Sequence, residues 1–559
     1  MSLHPSCLGP VPAQTAQIAT AAFPKGNLYL RLREELGTLF TREDFSSLYP
    51  VRGRPSLSPC LLALVTLFQF LENLTDRQTA DAVRGRIDWK YALGLELSDS
   101  GFDFSVLSEF RSRLISGNSE QILLDKLLFE MKSRGLIKSG GKQRTDSTHV
   151  LASIRSMNRL ELVIETMRAT LNHLALVDRS WLKEWAPTDW ADVYGPRADN
   201  MRLPKGEEAR NKLAQRVGND GFELLSQLAL PEVQSYFATM PEVVTLSQIW
   251  ERHFDRSAEG KVRWRAGPEL SRASGALESP YDTQARYCTK RDIHWTGYRV
   301  HLTEVCDSGA LPLITHVHTG PATEQDISCT SLIHQALSAK DLLPRKHFVD
   351  TGYIDASVLV ESLDTYQVEL FGPLRTNPSW QSREGGLDKS HFKIDWDKKC
   401  AVCPEGKVSS QWTEGLSRRS IQNGTLYEYP YTLVTFSDST CKGCQKRDDC
   451  TSAVHRGRRL LLGTQRQEEV TNNLRQSIAS PEGKIEYRNR AAIEGTLSQS
   501  VRRSGLRRSR YTGLKKTHLQ HIASASGLNL DRLYHHLTQR KRAQTRISRF
   551  ETLIRQREV

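Results

Sequence analysis

Two short β-prone runs, far apart in the chain, each carry an aspartate, and a helical segment further on carries a glutamate. Asp146 lies in Arg-Thr-Asp-Ser-Thr-His-Val, Asp350 in His-Phe-Val-Asp-Thr-Gly-Tyr, and Glu494 in Tyr-Arg-Asn-Arg-Ala-Ala-Ile-Glu-Gly. This restricts the chain to folds that mix strands with helices. Two strand-borne aspartates and one helix-borne glutamate are also what a two-metal phosphoryl-transfer site requires. Hard divalent cations take oxygen ligands, and a pair of them can clamp the attacking and leaving oxygens of an in-line displacement. With 64 acidic residues in the chain, three carboxylates alone decide little. Tyr487, Arg490 and Glu494, spaced three and then four apart, add a second signal. On a continuous helix they fall on one face.

The order of elements extends the reading. After a Pro-rich leader, Ser58-Pro59 opens an apolar helix through Leu71, with Ser58 as a candidate cap and Pro59 in the first turn. Thr75 opens a second helix. A third runs from Asp103 to Leu114, with Ser105 as a candidate cap. Short helices with basic ends suit either a helix-turn-helix-like DNA reader or a bundle used for dimerisation. A strand follows over Gln143–Ser153. A helical stretch comes next, whose Trp181, Trp185 and Trp190 read as core. A hairpin spans 285–320, where Tyr298, Val300 and Leu302 alternate with Arg299, His301 and Thr303 as in a half-buried strand. Then come a helix over Ser331–Leu337, the strand leading into Asp350, a β-rich stretch whose clearest strand is Tyr427–Phe436, and helices over Leu514–Ala523 and Leu528–Leu537.

The segment from Tyr487 resembles the Tyr-x2-Arg-x3-Glu-x6-Lys signature of bacterial insertion-sequence transposases of the DDE type. The likeness is greatest to the IS-eleven-eighty-two-like branch of the IS-four-like group. The last signature position is Val501 here, with Arg502 beside it but about 100° round the helix. Further matching blocks are 49–59 (Tyr-Pro-x4-Pro-Ser-Leu-Ser-Pro), 295–304 (Trp-Thr-Gly-Tyr-Arg-Val-His-Leu-Thr-Glu), 350–353 (Asp-Thr-Gly-Tyr) and 441–451 (Cys-x2-Cys-x5-Cys-Thr), so the resemblance covers most of the chain.

The resemblance implies an α/β fold: a ribonuclease-H-like catalytic core with an N-terminal helical domain, a helical insertion and a β-rich Cys-containing insertion. The expected units are 1–140 for DNA-end binding and 141–375 for the first part of the core, with a helical insertion at about 155–280. They continue with 376–470 for the Cys insertion, 471–537 for the second part of the core with the Glu494 helix, and 538–559 for a basic tail, frayed or helical. Asp146, Asp350 and Glu494 would hold two Mg²⁺ or Mn²⁺ ions. Arg490 would hold a phosphate, and Tyr487 would hydrogen-bond one. His149 and His301 are auxiliary candidates for which a structural role is the default. Trp295 is a candidate for stacking on a displaced base, with packing in the hairpin as the default. The implied partners are double-stranded DNA, as terminal inverted repeats and target, and a second copy of the chain on paired ends. The implied setting is the bacterial cytoplasm, associated with the nucleoid.

Charge agrees with a polyanionic partner without identifying it: the net charge is +13. From 501 to 559 there are fifteen Lys/Arg against three Asp/Glu. Arg502, Arg503, Arg507, Arg508, Arg510, Lys515 and Lys516 form one cluster, read as a phosphate-backbone contact. No apolar run is long enough to span a membrane, and no secretory signal is expected.

Five of the ten cysteines fall between 400 and 450, as Cys400-x2-Cys403 and Cys441-x2-Cys444-x5-Cys450. This suits a structural Zn²⁺ ribbon or a set of free thiols. The resemblance favours Cys403, Cys441, Cys444 and Cys450 as the ligands, leaving Cys400 spare. Cys7, Cys60, Cys288, Cys306 and Cys329 read as ordinary thiols. Two further functions stay open: a nuclease on the same core that cleaves without joining, and a non-catalytic DNA-binding descendant of a transposase.

Overall fold

The computed structural model describes residues 2–555 except 5, 202, 231–232, 234–236, 271–274, 291, 421–425 and 540–547. It is a mixed α/β structure organised on one six-stranded sheet. Its central strand, β1 (Lys142–Leu151), pairs antiparallel with a later strand from Gln143↔Val305 to Leu151↔Gly297. Within the intervening residues lies a small hairpin, β2 (Phe254–Arg256) and β3 (Val262–Trp264). The sheet continues with β4 (Arg286–Lys290), β5 (Ile293–Val305), β6 (Ile314–Pro321), β7 (Lys346–Phe348) and β8 (Glu369–Phe371). The strand order is β6-β5-β1-β7-β8, with β4 also on β5. The β7 and β8 pairings are parallel and the others antiparallel.

The hairpin expected over 285–320 has three strands, with β4 and β6 meeting the same edge of β5 one after the other, and β5 is not half-buried. Tyr298, Val300, His301 and Thr303 are all 0% exposed, because both faces of the sheet are covered. Helix Leu514–Leu537 packs on β6 and on helix Pro59–Glu72, and helix Asp326–Ala339 also contacts β6. Leu514–Leu537 is one continuous helix rather than two. Gly527, which looks like a breaker, is the contact point with Leu71: a Cβ there would lie 3.0 Å from the Leu71 backbone nitrogen.

The N-terminal part is helical, as Ala13–Ala22, Leu28–Leu36, Pro59–Glu72, Asp76–Gly85, Ile87–Leu93, Ser105–Ser116 and Ile122–Ser133. Two helices thus lie inside the expected leader. Helix Pro59–Glu72 is apolar on every side and is nearly all buried. Thr75 and Gln78 form a capping box, as their spacing suggests. Neither expected serine caps its helix. Ser58 Oγ donates to the Cys7 carbonyl, and the Ser105 amide is instead taken by Asp103 Oδ1. Cys7 and Cys60 are not free thiols: their Cα atoms are 5.4 Å apart and they form a disulfide between the leader and the buried helix. One apolar core runs from Tyr29 through Leu302 to Leu533, so these helices and the sheet share it.

Among the described residues, 159–253 contribute five α-helices around a second core, in which Leu160, Val163, Ile164, Met167, Trp190 and Trp250 are buried. A third core has, among the described residues, six buried apolar side chains: Phe392, Ala401, Val434, Phe436, Leu460 and Leu462. It joins β9 (Lys393–Asp395), β10 (Cys400–Val402), β11 (Gln411–Ser420), β12 (Leu426–Thr435) and β13 (Arg459–Leu462). Much of the expected tail at 538–559 lies outside the described residues, which include helix Arg549–Arg555 there. No described helix is long and apolar enough to cross a membrane.

Candidate active site and thiol cluster

The convergence of the two aspartates follows from strand register. β1 and β7 pair in parallel only over Lys142↔Lys346, Gln143↔His347 and Arg144↔Phe348. Two residues beyond the last pair on each strand stand Asp146 and Asp350, side by side where the ladder has opened. Each carboxylate is fixed by a backbone amide: Asp146 Oδ1 accepts from the Ser147 N–H at 2.7 Å, and Asp350 Oδ1 from the Gly352 N–H at 2.8 Å. The turn after Asp350 is tight around Gly352, where a Cβ would come within 2.9 Å of Asp326 Oδ2 and 3.0 Å of Asp350 Oδ1 and would push on both carboxylates.

The segment bearing Glu494 is not the single helix that the spacing suggests. Helix Pro481–Tyr487 tightens into a 3₁₀ turn at Arg488–Arg490 before helix Ile493–Ser504 resumes. The bonds Ala491 N–H to Arg488 O and Glu494 N–H to Ala491 O mark that tightening. Tyr487 still faces the acidic cluster: its hydroxyl donates to the Val349 carbonyl at 3.2 Å, next to Asp350.

A network invisible in the sequence clamps this segment to the sheet. Glu304, on β5, is 0% exposed. Its carboxylate meets Arg144 at 2.6 Å and Arg532 at 2.9 Å, and accepts the Thr496 hydroxyl at 2.6 Å, two residues past Glu494. Arg144 also donates to the Asn489 carbonyl at 2.6 Å, holding the 3₁₀ turn. Glu486 pairs with Lys142 at 2.6 Å and Lys346 at 2.9 Å, tying the preceding helix to β1 and β7. Only Glu304's place at the end of the 295–304 block hinted at any of this.

Arg490 lies where the three carboxylates point. Its guanidinium is 3.1 Å from Asp146, 3.8 Å from Asp350 and 3.8 Å from Glu494. Two of those distances exceed a close hydrogen bond, and Arg490 Nε is buried without a partner. Burial pushes the Asp146 carboxyl up to about 6; Arg490 opposes this and Asp350 reinforces it. Three carboxylate oxygens around a loosely held cation form an all-oxygen donor set, which fits Mg²⁺ or Mn²⁺ in chemistry. Glu494 is 70% exposed at the rim, and Asp146 is the most enclosed.

A cavity of about 280 Å³ opens beside Asp146 and Asp350, and Lys290, Arg299 and Arg490 bring positive charge to it. His149 lines it and is held below its usual pKa by burial, then by Arg507 and Lys290. Trp295 forms a wall rather than an exposed stacking face. It is 4% exposed, and its indole N–H donates to the Tyr298 carbonyl. His301 is fully buried against Tyr353. Lys290, an exposed cation on the cavity, was missed by the sequence reading; the hairpin turn before Trp295 was the available signal.

The basic cluster after residue 501 divides. Val501, at the signature lysine position, packs against the core, and Arg502 faces solvent. Arg503 pairs with Asp531 at 2.7 Å, and Arg510 donates to the Leu74 carbonyl and stacks on Phe70, so both join helices to one another. Arg507 Nε donates to Thr148 Oγ1 at 2.8 Å beside the cavity. Arg508, Lys515 and Lys516 are exposed, and Lys515 reaches Asn118.

In the β-rich stretch, burial raises the Cys450 thiol, and Cys441, Cys444 and Cys403 reinforce this, so these four lie close together. Cys400 is not among the groups that act on it. Backbone amides of Lys407 and Arg458 point at Cys403 Sγ and Cys441 Sγ, at 3.4 and 3.5 Å. The four sulfurs are gathered but not closed on one point: no three of them lie within 4.8 Å of one another, the spacing that ligands of a single tetrahedral Zn²⁺ would keep.

Residues 402–534 match the family model described as Transposase DDE domain, and residues 17–113 match that described as Transposase domain (DUF772). The first stretch contains Cys403, Cys441, Cys444, Cys450, Tyr487, Arg490 and Glu494; Asp146 and Asp350 lie outside both. No similarity to a curated protein was found. The matches support a transposase of the DDE type.

Proposed function

We propose that this chain is a DNA transposase that binds the ends of an insertion sequence, cleaves them by metal-dependent phosphoryl transfer and joins them to target DNA. We read the β6-β5-β1-β7-β8 sheet, with Asp146 and Asp350 at adjacent strand ends, as a ribonuclease-H-like core. The insertion-sequence branch we assign is the IS-eleven-eighty-two-like one. The observation that carries the reading is the convergence of Asp146, Asp350 and Glu494 on one cationic group.

In this reading the three carboxylates hold two Mg²⁺ or Mn²⁺ ions. Such ions lower the pKa of the attacking water or 3′-hydroxyl and stabilise the leaving oxygen. Phosphoryl transfer then asks the protein mainly for position and charge. Glu304, Arg144, Arg532 and Thr496 supply the position by fixing the Glu494 segment against β1 and β5. Arg490, released from the carboxylates, turns to a phosphate oxygen. Lys290, Arg507 and the exposed Arg502, Arg508, Lys515 and Lys516 carry the DNA backbone. Trp295 and Tyr487 shape the site through packing. Zn²⁺, if taken by Cys403, Cys441, Cys444 and Cys450, would draw the four thiols together and support the small third core. The partners are terminal repeats and target DNA, with two copies of the chain holding paired ends, in the bacterial cytoplasm.

The test is the joining step. Precleaved, labelled end duplex is incubated with the protein, Mg²⁺ or Mn²⁺ and a supercoiled plasmid. Label in plasmid products, absent with Glu494→Gln, supports the transposase. Metal-dependent cutting without joined product favours the nuclease, and end binding without either favours a non-catalytic descendant.

A further inference from the structure

We propose that His301, His318, Glu324 and Cys329 form a further metal site, structural in role and selective for Zn²⁺-like ions, separate from the acidic cluster and from the four thiols. The donor atoms of His301, Glu324 and Cys329 all lie within 4.8 Å of one another. Among the described residues no other group of three His, Cys, Asp or Glu side chains meets that spacing. Cys329 Sγ is 3.5 Å from His301 Nε2. His318 Nε2 is 2.9 Å from Glu324 Oε2, and its ring lies 5.6 Å from that of His301.

Rigid elements supply these donors. His301 and His318 are direct cross-strand partners on β5 and β6. Glu324 lies in the turn that leaves β6, packed against Gly320, where a Cβ would collide with its carboxylate. Cys329 follows in the first turns of helix Asp326–Ala339. His301, Glu324 and Cys329 give one nitrogen, one oxygen and one sulfur at ligand spacing, and His318, bonded to Glu324, stands next to them as the fourth donor of a tetrahedral Zn²⁺ set. Mg²⁺ and Ca²⁺ prefer oxygen alone. His301 Nδ1 is already bonded to the Tyr353 hydroxyl at 2.6 Å, the outer partner that fixes a ligating imidazole with its other nitrogen towards the ion. His301 and Cys329 are fully buried, whereas His318 and Glu324 are 22% and 21% exposed, which gives an ion a way in.

The site touches both aspartate loops through its neighbours. Tyr353 closes the turn that starts at Asp350. Asp326 is 4.0 Å from His301 Nδ1 and accepts the hydroxyl of Ser147, the residue after Asp146. A metal here braces the two strand ends without meeting the substrate.

The test uses the full chain, stripped by chelator and titrated with Co²⁺ as an optical probe, with metal content measured in parallel after Zn²⁺ loading. Cys444→Ser disables the four-thiol group. In that background we expect one equivalent of Co²⁺ to give a single-thiolate charge-transfer band, and Co²⁺ taken by the all-oxygen acidic site to give none. Adding Cys329→Ser should abolish the band, and adding Glu324→Gln, at a partly exposed position, should weaken binding at least tenfold while leaving circular dichroism unchanged. In wild type, Cys329→Ser alone should remove one equivalent of zinc. A folded Cys444→Ser chain with no cobalt–thiolate band overturns the proposal. So does a Cys329→Ser or Glu324→Gln chain whose metal content and affinity equal those of its parent; such a result leaves an ordinary hydrogen-bonded cluster.

Discussion

The acidic site and the Cys-bearing insertion reach fixed geometry by opposite means. The acidic site stands on the large core, and its helix is locked by a fully buried carboxylate shared between two arginines. The insertion has six buried apolar side chains, and its ion pairs, such as Arg418–Glu428 and Lys399–Glu414, are largely exposed. Exposed pairs contribute little. So the first region is prepared by the polypeptide itself, whereas the second has few buried contacts of its own to hold it. A mutation in the first should therefore act on chemistry or on global stability, and one in the second only locally.

The sharpest way to break this contrast is Asp350→Asn. End cleavage should fall by about 10³-fold or more, a loss of several kcal/mol in transition-state stabilisation, with the melting transition kept. A variant that loses its fold instead would mean the site is not independently prepared. Next is Glu304→Ala, which leaves Arg144 and Arg532 without their shared carboxylate. Denaturant unfolding should show a loss of about 3–5 kcal/mol, the usual cost of breaking a buried pair on one side. If the loss is under 1 kcal/mol, the clamp is not what holds the Glu494 segment.

Ionisation of Asp146 gives a smaller and oppositely signed effect. Its folded pKa, about 6, lies above the ordinary carboxylate value. The stability it contributes is therefore complete below the unfolded pKa and is lost as pH rises through about 6. In metal-free protein, Asp146→Asn should be more stable than wild type at pH 7.5, by about 1–2 kcal/mol, with the gap closing below pH 4. Divalent cation should reverse the order. The most local effect is expected from Cys444→Ser. Limited proteolysis should open the stretch 376–470 while the main unfolding transition stays within about 0.5 kcal/mol of wild type.

What the sequence disclosed follows the same divide. The β-prone runs at Asp146 and Asp350 and the helical run at Glu494 are local patterns, and local patterns are legible. Their meeting rests on a parallel register of three residue pairs, which no local pattern encodes. Burial on both faces of β5 comes from helices, one of which, Leu514–Leu537, begins more than two hundred residues later. Gly527 reads as a helix breaker until Leu71 is seen against it. The helix is interrupted by the 3₁₀ turn at Arg488–Arg490, to whose Asn489 carbonyl Arg144 donates from another strand, yet Tyr487, Arg490 and Glu494 still face one site. The Cys7–Cys60 disulfide escaped notice because its members are 53 residues apart.

The most direct measurement is nicking of a labelled duplex carrying the DNA end that flanks the gene, with and without Mg²⁺ or Mn²⁺, comparing wild type with Glu494→Gln. Metal-dependent nicking at the element boundary, lost in Glu494→Gln while the duplex is still bound, is the predicted result. Nicking that survives Glu494→Gln, or that proceeds in chelator, would contradict a site made by Asp146, Asp350 and Glu494.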